Sequence, residues 1–266
     1  MADILEQIVA DKRIEVERQK AEIAPAILYN NVEKMMADGN YSKLSMRDSL
    51  AASASGIISE FKRKSPSKGW IKEEGRPDVI PASYSANGAS AISILTDEKY
   101  FGGCMDFVRI ARPMVSCPIL RKDFIVDEYQ LYQAREIGAN AVLLIAADLT
   151  KEECRNLAKK AHELALETLL EVHSEPELEY VGANIDMVGV NNRNLGTFHT
   201  DVQNSYRLAE LLPKDYLLVS ESGISNPQTV RELREAGFRG FLIGETFMKT
   251  PNPGESLKDF IQAVEK

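Results

Sequence analysis

Eight short, strongly apolar segments recur along the chain, separated by stretches in which apolar residues return every three or four positions. The apolar runs lie near Gly56 to Phe61, Ala89 to Leu95, Cys117 to Lys122, Ala141 to Ala147, Thr168 to His173, Met187 to Asn191, Tyr216 to Glu221 and Gly240 to Gly244. Runs of this length, apolar on both faces, read as strands of a parallel sheet covered on both sides. The intervening stretches DEYQLYQAREIG, TKEECRNLAKKAHELAL, TDVQNSYRLAELL and NPQTVRELREAG read as helices. Asn226 and Pro227 open the last of these as cap and first-turn residue, and Gly138 and Gly237 follow expected helix ends. Ahead of them, Ile4, Leu5, Ile8, Val9 and Ile14 stand at helical spacing and predict an amphipathic first helix. A polar stretch follows, then a short helix near Ser45 to Ala54. Eight strand and helix units in regular alternation call for an α/β fold, a closed (β/α)8 TIM barrel. The expected division is an N-terminal helical extension over residues 1–55, packed on a barrel over residues 56–266, in one domain.

Against this apolar pattern, the charged residues inside the strands stand out. Glu60 and Lys62 sit in GIISEFKRKSPS, Lys122 in PILRKDF, Glu171 in TLLEVHS, Asn191 and Arg193 in MVGVNNRN, and Glu221 in LLVSESG. Strand side chains alternate faces, so Glu60 and Lys62 point the same way, as do Asn191 and Arg193. A buried charge without a partner is costly, so such groups are paired, neutralised or functional. Internal ion pairing, as of Glu60 with Lys62, is the plain alternative. Their recurrence at the carboxyl ends of successive strands, where barrel enzymes carry their chemistry, suggests one shared polar pocket.

Lys122 and Glu171 are the best acid-base candidates. A lysine among apolar strand residues and other cations is expected to lose part of its preference for the charged form and become a better proton donor. The same lysine could serve instead as a Schiff-base nucleophile, as in an aldolase. The seventh and eighth strands end in SESGISNP and FLIGETFM, where Ser222, Gly223, Gly244 and Glu245 can present backbone N–H groups to a phosphate. Lys62, followed by Arg63, Lys64 and Lys68, brings positive charge that could close over the same anion. His173 lies past its strand end and reads as a surface or hydrogen-bonding residue. Trp70, Phe101 and Phe124 either stack on an aromatic substrate or pack the loops.

Composition narrows the classes. Of 266 residues, 44% are hydrophobic and 27% charged, which supports one large core. The net charge of −8 argues against a nucleic-acid or anionic-membrane partner. The three cysteines Cys104, Cys117 and Cys154 show no disulfide or zinc spacing, and the histidines no ligand spacing, so no metal is expected and a cytoplasmic setting is. The longest strongly apolar run, from Ala141 to Ala147, is too short to span a bilayer.

Taken in order, SEFKRKSPSKG, SILTDEKYFGG, PILRKDFIVDEYQ, LLEVH, GVNNRNLGTF, VSESGI and FLIGETFM resemble the successive strand-end motifs of indole-3-glycerol phosphate synthase. The resemblance runs from about Glu60 to Met248 and touches most of the barrel strands. It implies a monofunctional enzyme of tryptophan biosynthesis that turns 1-(2-carboxyphenylamino)-1-deoxyribulose 5-phosphate into indole-3-glycerol phosphate, carbon dioxide and water without a cofactor. By motif, Lys122 would be the general acid, Glu171 and Lys62 would take part in dehydration, and Glu60, Asn191 and Glu221 would orient substrate and acid-base groups. The implied phosphate site is Lys62, Ser222, Gly223, Gly244 and Glu245, with Arg193 near the substrate carboxylate. Leu95, Phe101, Phe124 and Leu143 match the apolar wall around the anthranilate ring. Phe61 replaces an expected aliphatic residue but should face away from the pocket. The extension matches no motif well enough to assign substrate contacts. A monomer or weak homo-oligomer acting on a small phosphorylated molecule, with no nucleic-acid or membrane partner, is the expectation.

Overall fold

The computed structural model describes residues 4–194 and 199–266; the last four residues of the GVNNRNLGTF motif lie outside them. Eight parallel strands, β1 (Ile57–Phe61), β2 (Ala91–Leu95), β3 (Ile119–Lys122), β4 (Ala141–Ile145), β5 (Glu167–Val172), β6 (Met187–Asn191), β7 (Leu217–Glu221) and β8 (Phe238–Ile243), close into a barrel. Each pairs with its sequence neighbours, and β8 returns to β1 with Ile57 beside Phe241 and Ser59 beside Ile243. The expected strands are therefore all present, with ends that differ by no more than two residues: β6 matches its expected bounds, β5 begins one residue earlier and β8 two. Helices cover the outside, those over Glu128–Glu136 and Lys151–Glu163 opening with capping boxes from Asp127 and Thr150. Asn226 caps the helix Pro227–Glu235 by accepting from the Gln228 N–H, and Gly138 and Gly237 take positive φ after their helices. The helix in TDVQNSYRLAELL is shorter than expected, Gln203–Ala209.

Side-chain alternation divides the core in two. Ile57, Ile92, Ile119, Val142, Leu170 and Val188 face outward onto the helices. Ile58, Ala91, Leu120, Leu143, Leu169, Met187, Val219 and Leu242 face inward and form a separate cluster. Met46 and Leu50 of α3 (Met46–Ala52) join that inner cluster and are fully buried. The helix is held at the amino ends of the strands: Ser45 caps it, and the Glu167 carboxylate at the start of β5 accepts from Ser45 Oγ and from the backbone N–H groups of Met46 (2.7 Å) and Arg47 (2.9 Å). Burying each of these two side chains stabilises the fold by roughly 1.5–3 kcal/mol.

The opposite end is covered by α1 (Ile4–Glu22), whose Leu5 and Ile8 reach into the inner cluster. Ile14, expected on its apolar face, is 71% exposed. Lys12 is buried instead, because three carboxylates meet its ammonium: Glu15 at 2.8 Å, Asp97 at 3.0 Å and Asp123 at 3.0 Å. The stretch expected to be merely polar contains a helix, α2 (Pro25–Ala37), with Pro25 in its first turn and Leu28 and Val32 buried. Two buried residues four apart make a stripe too narrow to stand out among so many polar neighbours. Tyr29 completes the anchoring by stacking on Tyr132 at 3.9 Å. Phe61 turns outward as expected, buried against Phe107.

Candidate active site

At the carboxyl ends of the strands the inward positions become polar. A cavity of about 360 Å³ opens there, lined by Glu60, Lys62, Lys122, Glu171, Asn191 and Glu221 among others. Strand register explains the convergence: Glu171 lies beside Gly189, and Asn191 beside Glu221, on adjacent strands. Lys122 Nζ stands 3.2 Å from Glu171 Oε2 and 3.6 Å from Glu221 Oε2. Lys62 Nζ is 2.5 Å from Glu60 Oε1. The anticipated Glu60–Lys62 ion pair is thus real, but it lines the cavity. Glycine makes the crowding possible: a Cβ at Gly189 would overlap the Glu221 carboxylate, and one at Gly244 the Glu60 carboxylate.

The electrostatics overturn one expectation. Lys122 is not surrounded by cations. Burial disfavours its charge, but Glu171, Glu221 and Glu60 outweigh burial and hold its pKa above the ordinary lysine value. Its proton is therefore retained within this cluster, and an acidified lysine is not what the cluster provides. Burial would likewise raise Glu171, yet the charge of Lys122, and then contact with His173, holds it well below the carboxylate range. Glu221 goes the other way, pushed up to about 8 by burial and then by the charge of Glu171, against the pull of Lys122. One of its oxygens, Oε1, has no hydrogen-bond partner. Two glutamates on one lysine are thus separated into an ionised and a predominantly protonated carboxyl near neutral pH.

The cavity lining includes Ser222, Gly223, Gly244 and Glu245, together with Ser65, Ser67 and Lys62. Ser222 and Gly223 carry successive positive φ values of 68° and 76°, a turn that brings backbone against the cavity. Ser222, as a non-glycine residue in that region, is strained. Arg193 lines the same cavity, its Nη1 3.4 Å from Ser67 Oγ and its Nε 3.3 Å from Thr200 Oγ1. Among the basic residues after Lys62, Arg63 lies over the rings of Trp70 and Phe107, and Lys64 donates to the Lys99 carbonyl. Lys68 reaches towards the end of β8 instead, 4.0 Å from Glu245.

Another part of the lining is apolar. Leu95, Phe101, Phe124 and Leu143 belong to it, the two phenylalanine rings 6.0 Å apart. Trp70 is not part of this wall; it is 46% exposed and held between loop cations and Gly102. Ile4, Leu5 and Ile8 of α1 complete the lining, which residue-by-residue reading left open. Their helical spacing marked an apolar face but carried no sign of what it would cover.

His173, read as a surface or hydrogen-bonding residue, is mostly buried beside the cluster, its side chain 12% exposed. Its Nε2 is 3.3 Å from Glu171 Oε1, and its Nδ1 is 3.5 Å from Glu177 Oε2. Asp148, absent from any motif reading, sits nearby with both carboxyl oxygens buried and unbonded. Burial, then the charge of Glu171, pushes it up to about 8.

Comparison with known proteins follows the same geometry. The family model described as indole-3-glycerol phosphate synthase matches residues 5–260. An indole-3-glycerol phosphate synthase of Bacteroides thetaiotaomicron is 61% identical over 265 residues, covering 100% of both chains. Those of Azoarcus sp. and Polynucleobacter asymbioticus are 42% and 41% identical, each covering 97% of this chain and 98% and 99% of their own.

Proposed function

Because the chain belongs to the indole-3-glycerol phosphate synthase family, whose members close and decarboxylate a carboxyphenylamino-deoxyribulose phosphate, we propose the following roles for its residues. The phosphate is held by the Ser222–Gly223 turn, Gly244, Glu245 and Lys62. Arg193 faces the anthranilate carboxylate, and the ring lies against Leu95, Phe101, Phe124, Leu143 and the α1 side chains. Lys122 is then at the sugar carbonyl, between the apolar and phosphate walls.

Lys122 begins protonated, and its proton moves to the carbonyl oxygen as the ring carbon bearing the carboxylate attacks the carbonyl carbon. An alkoxide is a stronger base than an amine, so transfer becomes favourable as that charge develops. Loss of carbon dioxide returns its bonding electrons to the ring and restores aromaticity. Dehydration then needs one proton delivered to the hydroxyl and one removed from the neighbouring CH₂ carbon. Glu171, ionised and 3.2 Å from Lys122, is the base that accepts the second proton and returns it to the lysine. Lys62, paired with Glu60, both binds phosphate and assists departure of the hydroxyl. Asn191 and Glu221 orient this set.

The observation that carries the reading is Lys122 Nζ held between the Glu171 and Glu221 carboxyls, at 3.2 and 3.6 Å, in a cavity lined by both apolar and polar residues. The test is to mix the protein with the carboxyphenylamino-deoxyribulose phosphate and follow indole-glycerol phosphate fluorescence, with Lys122→Ala alongside. Product from the wild type and none from the variant is expected; equal turnover in the two would remove Lys122 from the mechanism. A cytoplasmic setting belongs to the same reading, supported by three unpaired cysteines.

A further inference from the structure

The base assigned to Glu171 has an unusual surrounding that the reaction scheme leaves unused. Glu171 is almost fully buried, with one carboxylate oxygen facing Lys122 and the other facing His173. The His173 ring is in turn caught from its far side by Glu177, which lies in the turn after β5. Glu177 is itself tightly placed: its carboxylate accepts from the His173 backbone N–H at 2.7 Å and from Ser174 Oγ at 2.8 Å. Asn204 pins the same segment by donating to the carbonyls of His173 (3.0 Å) and Asn191 (3.2 Å). Neither ring nitrogen has hydrogen-bond geometry to its carboxylate, so the contacts act through charge.

The charges around Glu171 explain why such a contact matters. When Lys122 gives its proton to the substrate, the lysine becomes neutral, and Glu171 loses the cation on its Oε2. Glu60 has Lys62 as its own partner. Of the groups contacting Glu171, His173 then remains as the positive one. Without it, a buried carboxylate beside Glu221 and Asp148 would be driven to take up a proton before it could accept one from substrate.

We propose that His173 is a positioning residue for this reaction, an imidazolium held between Glu171 and Glu177 that keeps Glu171 ionised and fixed while Lys122 is deprotonated. It touches no substrate and acts through Glu171, so the inference rests on the base role given to that residue. Contact with Glu171, and then with Glu177, outweighs burial and pushes the His173 pKa up to about 10. Asp148, close enough to feel the charge of the ring, is pushed up to about 8 by burial and then by Glu171, so it is mostly protonated at neutral pH and competes little for that charge.

The experiment uses the three histidines of the chain as a small, assignable set of NMR signals. In the wild type the His173 ring is expected to stay charged well past pH 8, and in Glu171→Gln its titration is expected to drop by a pH unit or more. His173→Gln should lower kcat by roughly 10- to 100-fold, the range for groups that support a first contact, with KM within about threefold. Glu177→Gln, at a half-buried position outside the strands, should move both readouts in the same direction by less and serves if His173→Gln fails to fold. A His173 ring titrating near the ordinary histidine value of about 6.5, or a folded His173→Gln enzyme with kcat within twofold of wild type, overturns the proposal. Wild-type turnover in Glu171→Gln would instead overturn the base role itself.

Discussion

The two ends of the barrel interior are built from the same strands and the same alternation, yet they do opposite things. At the amino ends, Ile58, Leu169, Met187 and Leu217 join Met46 and Leu50 of α3 in one apolar cluster. Two residues further along the same inward rows, Ile58 is succeeded by Glu60, Leu169 by Glu171 and Val219 by Glu221. Rigidity is supplied by the first level and reactivity by the second. The lesson is that the buried charges are tolerated because the strands carrying them are already clamped below.

Lys122→Ala tests the upper end most severely. Its turnover should fall by roughly 100- to 10,000-fold, measured by product fluorescence, while phosphate-dependent binding survives. Leu50→Ala tests the lower end: it should cost about 2–5 kcal/mol of stability by denaturant unfolding and leave kcat close to wild type under folding conditions. If kcat fell in proportion, the two levels would not be separable. Lys62→Ala should weaken KM and kcat together, by about tenfold each, if Lys62 serves both the phosphate and the leaving hydroxyl as proposed.

The smallest effect concerns pH. Asp148 and Glu221 are both pushed up to about 8 in the folded protein, so the native state holds protons that the unfolded chain releases above about pH 4. Stability from these groups is present below that value and declines as pH rises towards 8. Asp148→Asn should flatten part of this decline, visible as a smaller loss of Tm between pH 5 and 9 than in wild type. An unchanged loss would show that Asp148 is ionised in the native state without cost.

Most of the barrel was legible because its strands are apolar on both faces and its helices carry caps, so periodicity and punctuation agree. The site was legible for a related reason: a charge inside an apolar run has few innocent explanations. What escaped reading depended on contacts between distant segments. The direction of the Lys122 shift could not be read, since the carboxylates that reverse it come from β1, β5 and β7. Gly189 looked like any strand glycine until Glu221 from the neighbouring strand was seen to occupy its side-chain space. Helix α2 offered only Leu28 and Val32 as a buried pair, and Lys12 in α1 was indistinguishable from a solvated lysine.

That buried lysine also sets an order of events during synthesis. Helix α1 leaves the ribosome ahead of its partners: Asp97 and Asp123, which neutralise Lys12, follow 85 and 111 residues later (97 − 12 and 123 − 12). At a translation rate of about 5–20 residues per second, the helix waits on the order of ten seconds for the strand end it must dock on. The helix is therefore made well before it can find its place, and it docks only once the residue next to Lys122 exists to receive it.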